Sequence, residues 1–194
     1  ALLADVLRRG CAKYPTQAAV MKYQQELYGA YFDIDVRRKG EDQILSFMLN
    51  TVSDSFLPEG ETVQRRAMDL LFEMLLNPLI ENGGFSADYV AQEKINLKND
   101  IDALINDKRS YAVWRLVELM CQDEPYGVHE LGTKEDVDAI TPQMLYHHYL
   151  NLLQEGPIDI FVTGKVSIDE MCAYFQERFA VLTLKNEKTP ATAL

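Results

Sequence analysis

The chain has 194 residues, 47% of them hydrophobic and 25% charged, which is enough apolar material to bury a core and too much for a disordered segment. A formal net charge of -11 argues against nucleic-acid and anionic-membrane partners, because both need a cationic surface to displace counterions. No apolar run approaches the ~20 residues of a membrane span, and Cys11, Cys121 and Cys172 are too few and too widely spaced for a disulfide framework or a zinc ribbon, which suits a reducing cytosol.

Leu2, Leu3, Val6 and Leu7 recur at helical spacing, so a first helix is expected over residues 1–9, closed by Gly10 after the basic pair Arg8-Arg9. Pro15 suits the first turn of a second helix, whose apolar positions Ala19, Val20, Tyr23 and Leu27 run to Gly29. From Tyr31 the period changes to two. Phe32, Ile34 and Val36 alternate with Asp33, Asp35 and Arg37, the pattern of a half-buried strand. A turn over 38–42 leads to a hairpin partner spanning Ile44 to Val52.

Pro58-Glu59-Gly60 breaks the chain, and Val63, Ala67, Leu70, Leu71, Met74 and Leu75 trace one face of an amphipathic helix that stops at Asn77-Pro78. A loop with Gly83-Gly84 precedes a longer helix from Ser86, as N-cap, through Ile105. Another helix runs from Ser110 to about Gln122, and Thr141-Pro142 opens one that reaches Leu153. Ile158, Ile160 and Val162 alternate with Asp159, Phe161 and Thr163 as a third strand. Ser167 to Glu170 is a capping box for a last helix ending near Phe179. Few strands among many helices, without alternating βα units, define an α+β fold: an antiparallel or mixed β-sheet with helices layered on one face.

The ordered text A-L-L-A-D-V-L-R-R-G-C-A-K-Y-P-T, Glu26 to Gly29, the hairpin, Leu70 to Pro78, Gly83-Gly84-Phe85 and Glu93-Lys94 resembles the pitrilysin/insulinase zinc metallopeptidases. The likeness continues through Pro125-Tyr126, Gly132-Thr133, Ile140-Thr141 and Thr163-Gly164. In that family the first helix reads approximately H-L-L-E-H. The resemblance implies an N-terminal half-domain over residues 1–184 that lacks its first strand, followed by the start of an inter-half linker at 185–194.

Zinc-assisted peptide hydrolysis needs two imidazoles one helical turn apart, a carboxylate ligand and a Glu that deprotonates the bound water. By resemblance, Ala1 and Asp5 occupy the imidazole positions and Ala4 the position of the base, while Glu93 and Asp100 stand for the family's two downstream carboxylates. Methyl groups neither bind zinc nor accept a proton. Seven residues make two helical turns, so Glu93 and Asp100 are expected to point the same way, beside Leu97 and Leu104.

Blander readings stand beside these. Asp5 reads better as a solvated or Arg-paired remnant than as a ligand, and Glu93 and Asp100 are equally well read as exposed acids pairing with Lys94 or Lys98. His147 and His148 diverge by about 100° on a helix and do not clamp one metal. His129 reads as structural, and Trp114 with its Tyr and Met neighbours reads as core.

The resemblance thus implies a non-catalytic peptidase homologue with no zinc of its own. Its expected role is cytoplasmic partner subunit of an active, zinc-containing homologue, in a heterodimer or by self-association, enclosing a chamber for peptide substrates. Tyr31, Phe32, Asp33, Ile34, Asp35 and Val36 are the expected substrate-binding strand, by backbone addition. A purely structural or assembly protein is the alternative, and an active zinc peptidase the third reading.

Overall fold

The computed structural model describes residues 1–182, so the linker expected at 185–194 lies outside the described residues. The first helix, α1 (Leu2–Arg8), is short and buries Leu2, Leu3, Ala4, Val6 and Leu7. Helices of this length are marginal in water, so tertiary packing holds it. Gly10 ends it with φ +152°, and a Cβ there would lie 2.4 Å from the Tyr14 carbonyl oxygen. Only glycine admits that close approach. Cys11 follows, fully buried, in an isolated bridge to Pro78.

The second helix, α2 (Gln17–Glu26), begins after Thr16, whose Oγ1 accepts the N–H of Ala19 at 3.2 Å. Pro15 therefore precedes the cap rather than filling the first turn, because a hydroxyl N-cap satisfies an otherwise orphaned donor. Strands β1 (Tyr31–Lys39) and β2 (Asp42–Asn50) pair antiparallel from Tyr31↔Asn50 to Lys39↔Asp42. The alternation read in the sequence sends Phe32, Ile34 and Val36, with Leu45 and Phe47, toward the cluster around α1.

Helix α3 (Val63–Leu76) packs against β2 and buries Val63, Ala67, Leu70, Phe72, Met74 and Leu75. The supposed loop after it contains a miniature hairpin, β3 (Ile80–Glu81) with β4 (Gly84–Phe85). Asn82 and Gly83 both take positive φ, 50° and 76°, the geometry an Asn-Gly hairpin turn requires. Helix α4 (Ala87–Ala103) has Ser86 at its N-cap position, without a side-chain cap bond.

Helix α5 (Lys108–Met120) starts earlier than Ser110, because the Asp107 carboxylate accepts the N–H groups of Arg109 and Ser110. It buries no residue: Val113, Leu116, Leu119 and Met120 are exposed, and Trp114 rests half-buried on Tyr111 and His129. The expectation of a core Trp114 is corrected, since the turns at 104–106 and 125–129 lie against that helix and leave the residue half-buried. A short helix absent from the sequence reading, α6 (Lys134–Ala139), is capped by Thr133 and buries Val137. Helix α7 (Pro142–Glu155) packs on β4, and α8 (Ile168–Phe179) docks on Phe72 through Tyr174, Phe175 and Phe179.

The third strand does not form. Ile158, Ile160, Phe161 and Val162 are all exposed, and among the described residues no strand pairs with them. Alternation specifies a strand only when a ladder and a covered face are available. The result is an α+β molecule with two antiparallel hairpins, and the mixed sheet is not seen among the described residues. Helices α1 and α3 lie against the larger hairpin. No helix of the described residues is long and apolar enough to cross a membrane.

Candidate functional site

The residues expected at the degenerate motif lie where α1, β1 and α4 meet, and α1 packs on both neighbours. Ala4, expected at the position of the base, is 2% exposed, so its methyl group fills core space. Asp5 is half-buried and accepts a hydrogen bond from the Arg8 guanidinium, whose other arm reaches Asp33 of β1 at 3.5 Å. Arg9 donates through Nε to Glu93 of α4, and Asn96 Nδ2 donates to the second oxygen of that carboxylate at 2.9 Å. The Arg9 guanidinium also lies 5.9 Å from the Tyr89 ring centre. Arginines therefore occupy both inward-facing acids, and Glu93 lies close enough to Asp5 to repel it.

Burial raises the Asp5 carboxyl above the usual carboxylate range, the Arg8 hydrogen bond opposes that shift, and the Glu93 charge adds to it. A raised folded-state value favours the protonated form. Its stabilising effect is present at acid pH and is lost as pH rises through the folded value. Asp5→Asn is accordingly expected to match or exceed the parent in thermal midpoint at pH 7 and to lose that advantage near pH 4. Paired melts at the two pH values test this; a variant clearly less stable at pH 7 than at pH 4, relative to the parent, contradicts it.

Asp100 does not join the cluster. It is exposed and makes no hydrogen bond or ion pair among the described residues, while Glu93 and Leu97 are buried on the same helix. The expected pairings of these acids with Lys94 or Lys98 are corrected as well. Lys94 Nζ donates to the carbonyls of Asp138 and Ile140, and Lys98 pairs with Asp138 at 2.7 Å, because α6 offers acceptors to that side of α4. His147 and His148 are exposed, and His129 Nδ1 accepts the N–H of Leu131 at 3.1 Å.

On β1, Phe32, Ile34 and Val36 turn inward, whereas Tyr31 is exposed and Asp35 pairs with Arg37. Asp33 Oδ1 accepts the N–H of Ile34 at 2.9 Å. The other side of this strand carries Tyr31, Asp33 and Asp35. The arginine partner expected for Asp5 is Arg8, whereas Arg9, read in the sequence only as part of the helix end, reaches Glu93 across 84 residues of chain.

The donor set at the motif does not fit a zinc ion. Two positions are methyl groups, Asp5 and Glu93 are held by guanidiniums, Asp100 stands exposed apart from them, and no cluster of three His, Cys, Asp or Glu able to hold a metal occurs among the described residues. Fold and site together define an α+β molecule of the peptidase-half type whose first helix is seated in the core and carries no donor set for zinc among the described residues.

No protein-family model matches the chain. It is 35% identical over 179 residues, 92% of its length, to the Bacillus subtilis (strain 168) protein named "Probable inactive metalloprotease YmfF", covering 42% of that protein. Among solved structures, a conserved protein from Enterococcus faecalis superposes with a TM-score of 0.88 at 31% identity, over 98% of this chain and 44% of that one. A "peptidase M16 inactive domain" from Pseudomonas fluorescens shares the fold, with a TM-score of 0.69 at 18% identity, over 99% of this chain and 42% of that one. The chain therefore belongs to the pitrilysin-type metallopeptidase family as a degenerate member, and it spans less than half the length of these relatives.

Proposed function

We propose that this chain is the N-terminal half-domain of a non-catalytic peptidase homologue, which completes a peptide-binding chamber beside an active, zinc-containing homologue. The observation that carries this reading is the motif helix: five buried residues preserve its seat while Ala1, Ala4 and Asp5 supply no zinc chemistry. A peptide would add along β1, whose partner among the described strands is β2 alone, so one backbone edge is left for strand addition. An incoming chain displaces the Asp33 carboxylate from the Ile34 N–H to complete that ladder. The free thiols of Cys11, Cys121 and Cys172 support the cytoplasm as its compartment.

The test is copurification followed by depletion. A zinc-containing homologue is expected to copurify with the protein, its peptidase activity is expected to fall at least ~tenfold when this protein is removed, and a photoreactive peptide is expected to label residues 31–36. Full activity of the homologue alone overturns the proposal and favours an assembly role. Stoichiometric zinc and peptide cleavage in this protein by itself, abolished by Asp100→Ala, overturn it in the other direction.

A further inference from the structure

Helix α5 stands off the core, and the cavity of about 480 Å³ between it and the turn at Tyr126 to Glu130 is of the size that holds small ligands. Val113, Trp114, Val117 and Tyr126 give it apolar walls. Arg38 enters from the far end of β1 and fixes one wall: its Nη1 donates to the carbonyls of Tyr126 at 2.7 Å and Val128 at 3.0 Å, and its guanidinium lies 4.4 Å from the Tyr126 ring centre. Arg109 also lines the cavity, and its guanidinium has no hydrogen bond or ion pair among the described residues.

Two guanidiniums facing one lining carboxylate, Glu130, form a local cationic excess in a chain of net charge -11. His129 stands edge-on to Trp114 with ring centres 4.7 Å apart. Its Nδ1 accepts the Leu131 N–H, so Nε2 carries the proton, and burial favours the neutral ring. Leu131, next to Glu130, packs against the buried cluster around α1, which ties the turn beside the cavity to that helix.

We propose that this cavity binds the terminal carboxylate of a peptide with an apolar last residue, Arg109 taking the carboxylate and the walls of Trp114, Val113 and Val117 taking the side chain. The planar guanidinium fork matches a carboxylate in a bidentate pair. Glu130 opposes a phosphate dianion more strongly than a monoanion and supplies an acceptor for a peptide N–H. The peptidic nature of the occupant rests on the chamber reading above; the preference for an apolar carboxylate rests on the lining residues.

Trp114 is the one tryptophan of the chain, so its emission reports occupancy directly. The full chain is titrated with N-acetyl-alanyl-leucine, with its C-terminal amide and with inorganic phosphate, followed by Trp114 fluorescence and independently by calorimetry. The acid is expected to bind saturably and at least ~tenfold more tightly than the amide, and Arg109→Gln is expected to remove that difference while leaving amide binding unchanged. Arg109→Gln is a benign probe of the fold, since the side chain is exposed and makes no described bond. Equal binding of acid and amide, tighter binding of phosphate, an Arg109→Gln variant with parental preference, or no saturation in either readout by ~10 mM overturns the site. A failed titration with successful labelling of residues 31–36 removes this site alone. Saturable acid binding with labelling elsewhere removes the β1 reading and leaves the carboxylate site standing.

Discussion

Arg9→Met lowers folding stability by about 3–5 kcal/mol, read as a fall in the urea midpoint at unchanged slope. The cause is electrostatic, not steric. Glu93 is 8% exposed and has two described donors, Arg9 and Asn96, so removing the guanidinium leaves a carboxylate in the interior with one neutral hydrogen bond. The Arg9 side chain is 26% exposed, which lets water reach the pair and places the loss toward the lower end of that range. Arg9→Met combined with Glu93→Leu is expected to recover most of the loss, because well-packed apolar groups replace buried ion pairs at small net cost. A double variant as unstable as Arg9→Met shows that Arg9 acts through packing against Tyr89 instead. A single variant within ~0.5 kcal/mol of the parent shows that the acid was never dependent on it.

Tyr149→Ala is expected to cost a comparable amount, about 3–5 kcal/mol, for a different reason. Tyr149 is 1% exposed and its ring packs on Phe85 and Tyr146, joining α7 to β4. Its hydroxyl donates to the carbonyl of Leu75, one of the last carbonyls of α3, which the helix itself leaves without a donor. Burial pushes the phenol well above its ordinary range, so it remains a neutral donor across the pH range in which the fold is studied. Tyr149→Phe keeps the ring and removes only that donor, with an expected cost of about 1–2 kcal/mol. Denaturant unfolding of the two variants separates cavity from hydrogen bond. Equal losses would place the whole effect in the hydroxyl, and a neutral Tyr149→Phe would show that water takes over the Leu75 carbonyl.

Local periodicity made the helices and the long hairpin legible, since 3.6- and 2-residue patterns report which side of an element is covered. Position by position, what was missed depended on partners far away in sequence. The alternation at Ile158 to Val162 describes a strand only if another strand lies beside it, and no described strand does. Trp114 and its apolar neighbours have helical spacing, but spacing does not say whether anything covers the helix, and here a turn covers Trp114 only in part while Val113, Leu116, Leu119 and Met120 stay exposed. Asn82-Gly83 carries a hairpin signal in its residue types, but strands of two residues show no period beside it. In the site, the absent imidazoles were readable from Ala1 and Asp5. The capture of Glu93 by Arg9 was not, because 84 residues separate the two.

The missing Cβ of Gly10 bears on how such chains are classified. Its place against the Tyr14 carbonyl is fixed by backbone clearance, and Leu2, Leu3 and Leu7 are held by their burial in the core. A substitution that removes an imidazole from this helix is tolerated by folding, whereas one that widens Gly10 is not. Packing therefore constrains the scaffold text of this helix independently of any zinc ligand on it. A genome survey that scores the scaffold counts this chain among the enzymes; one that demands the nitrogen donors counts it among their former relations.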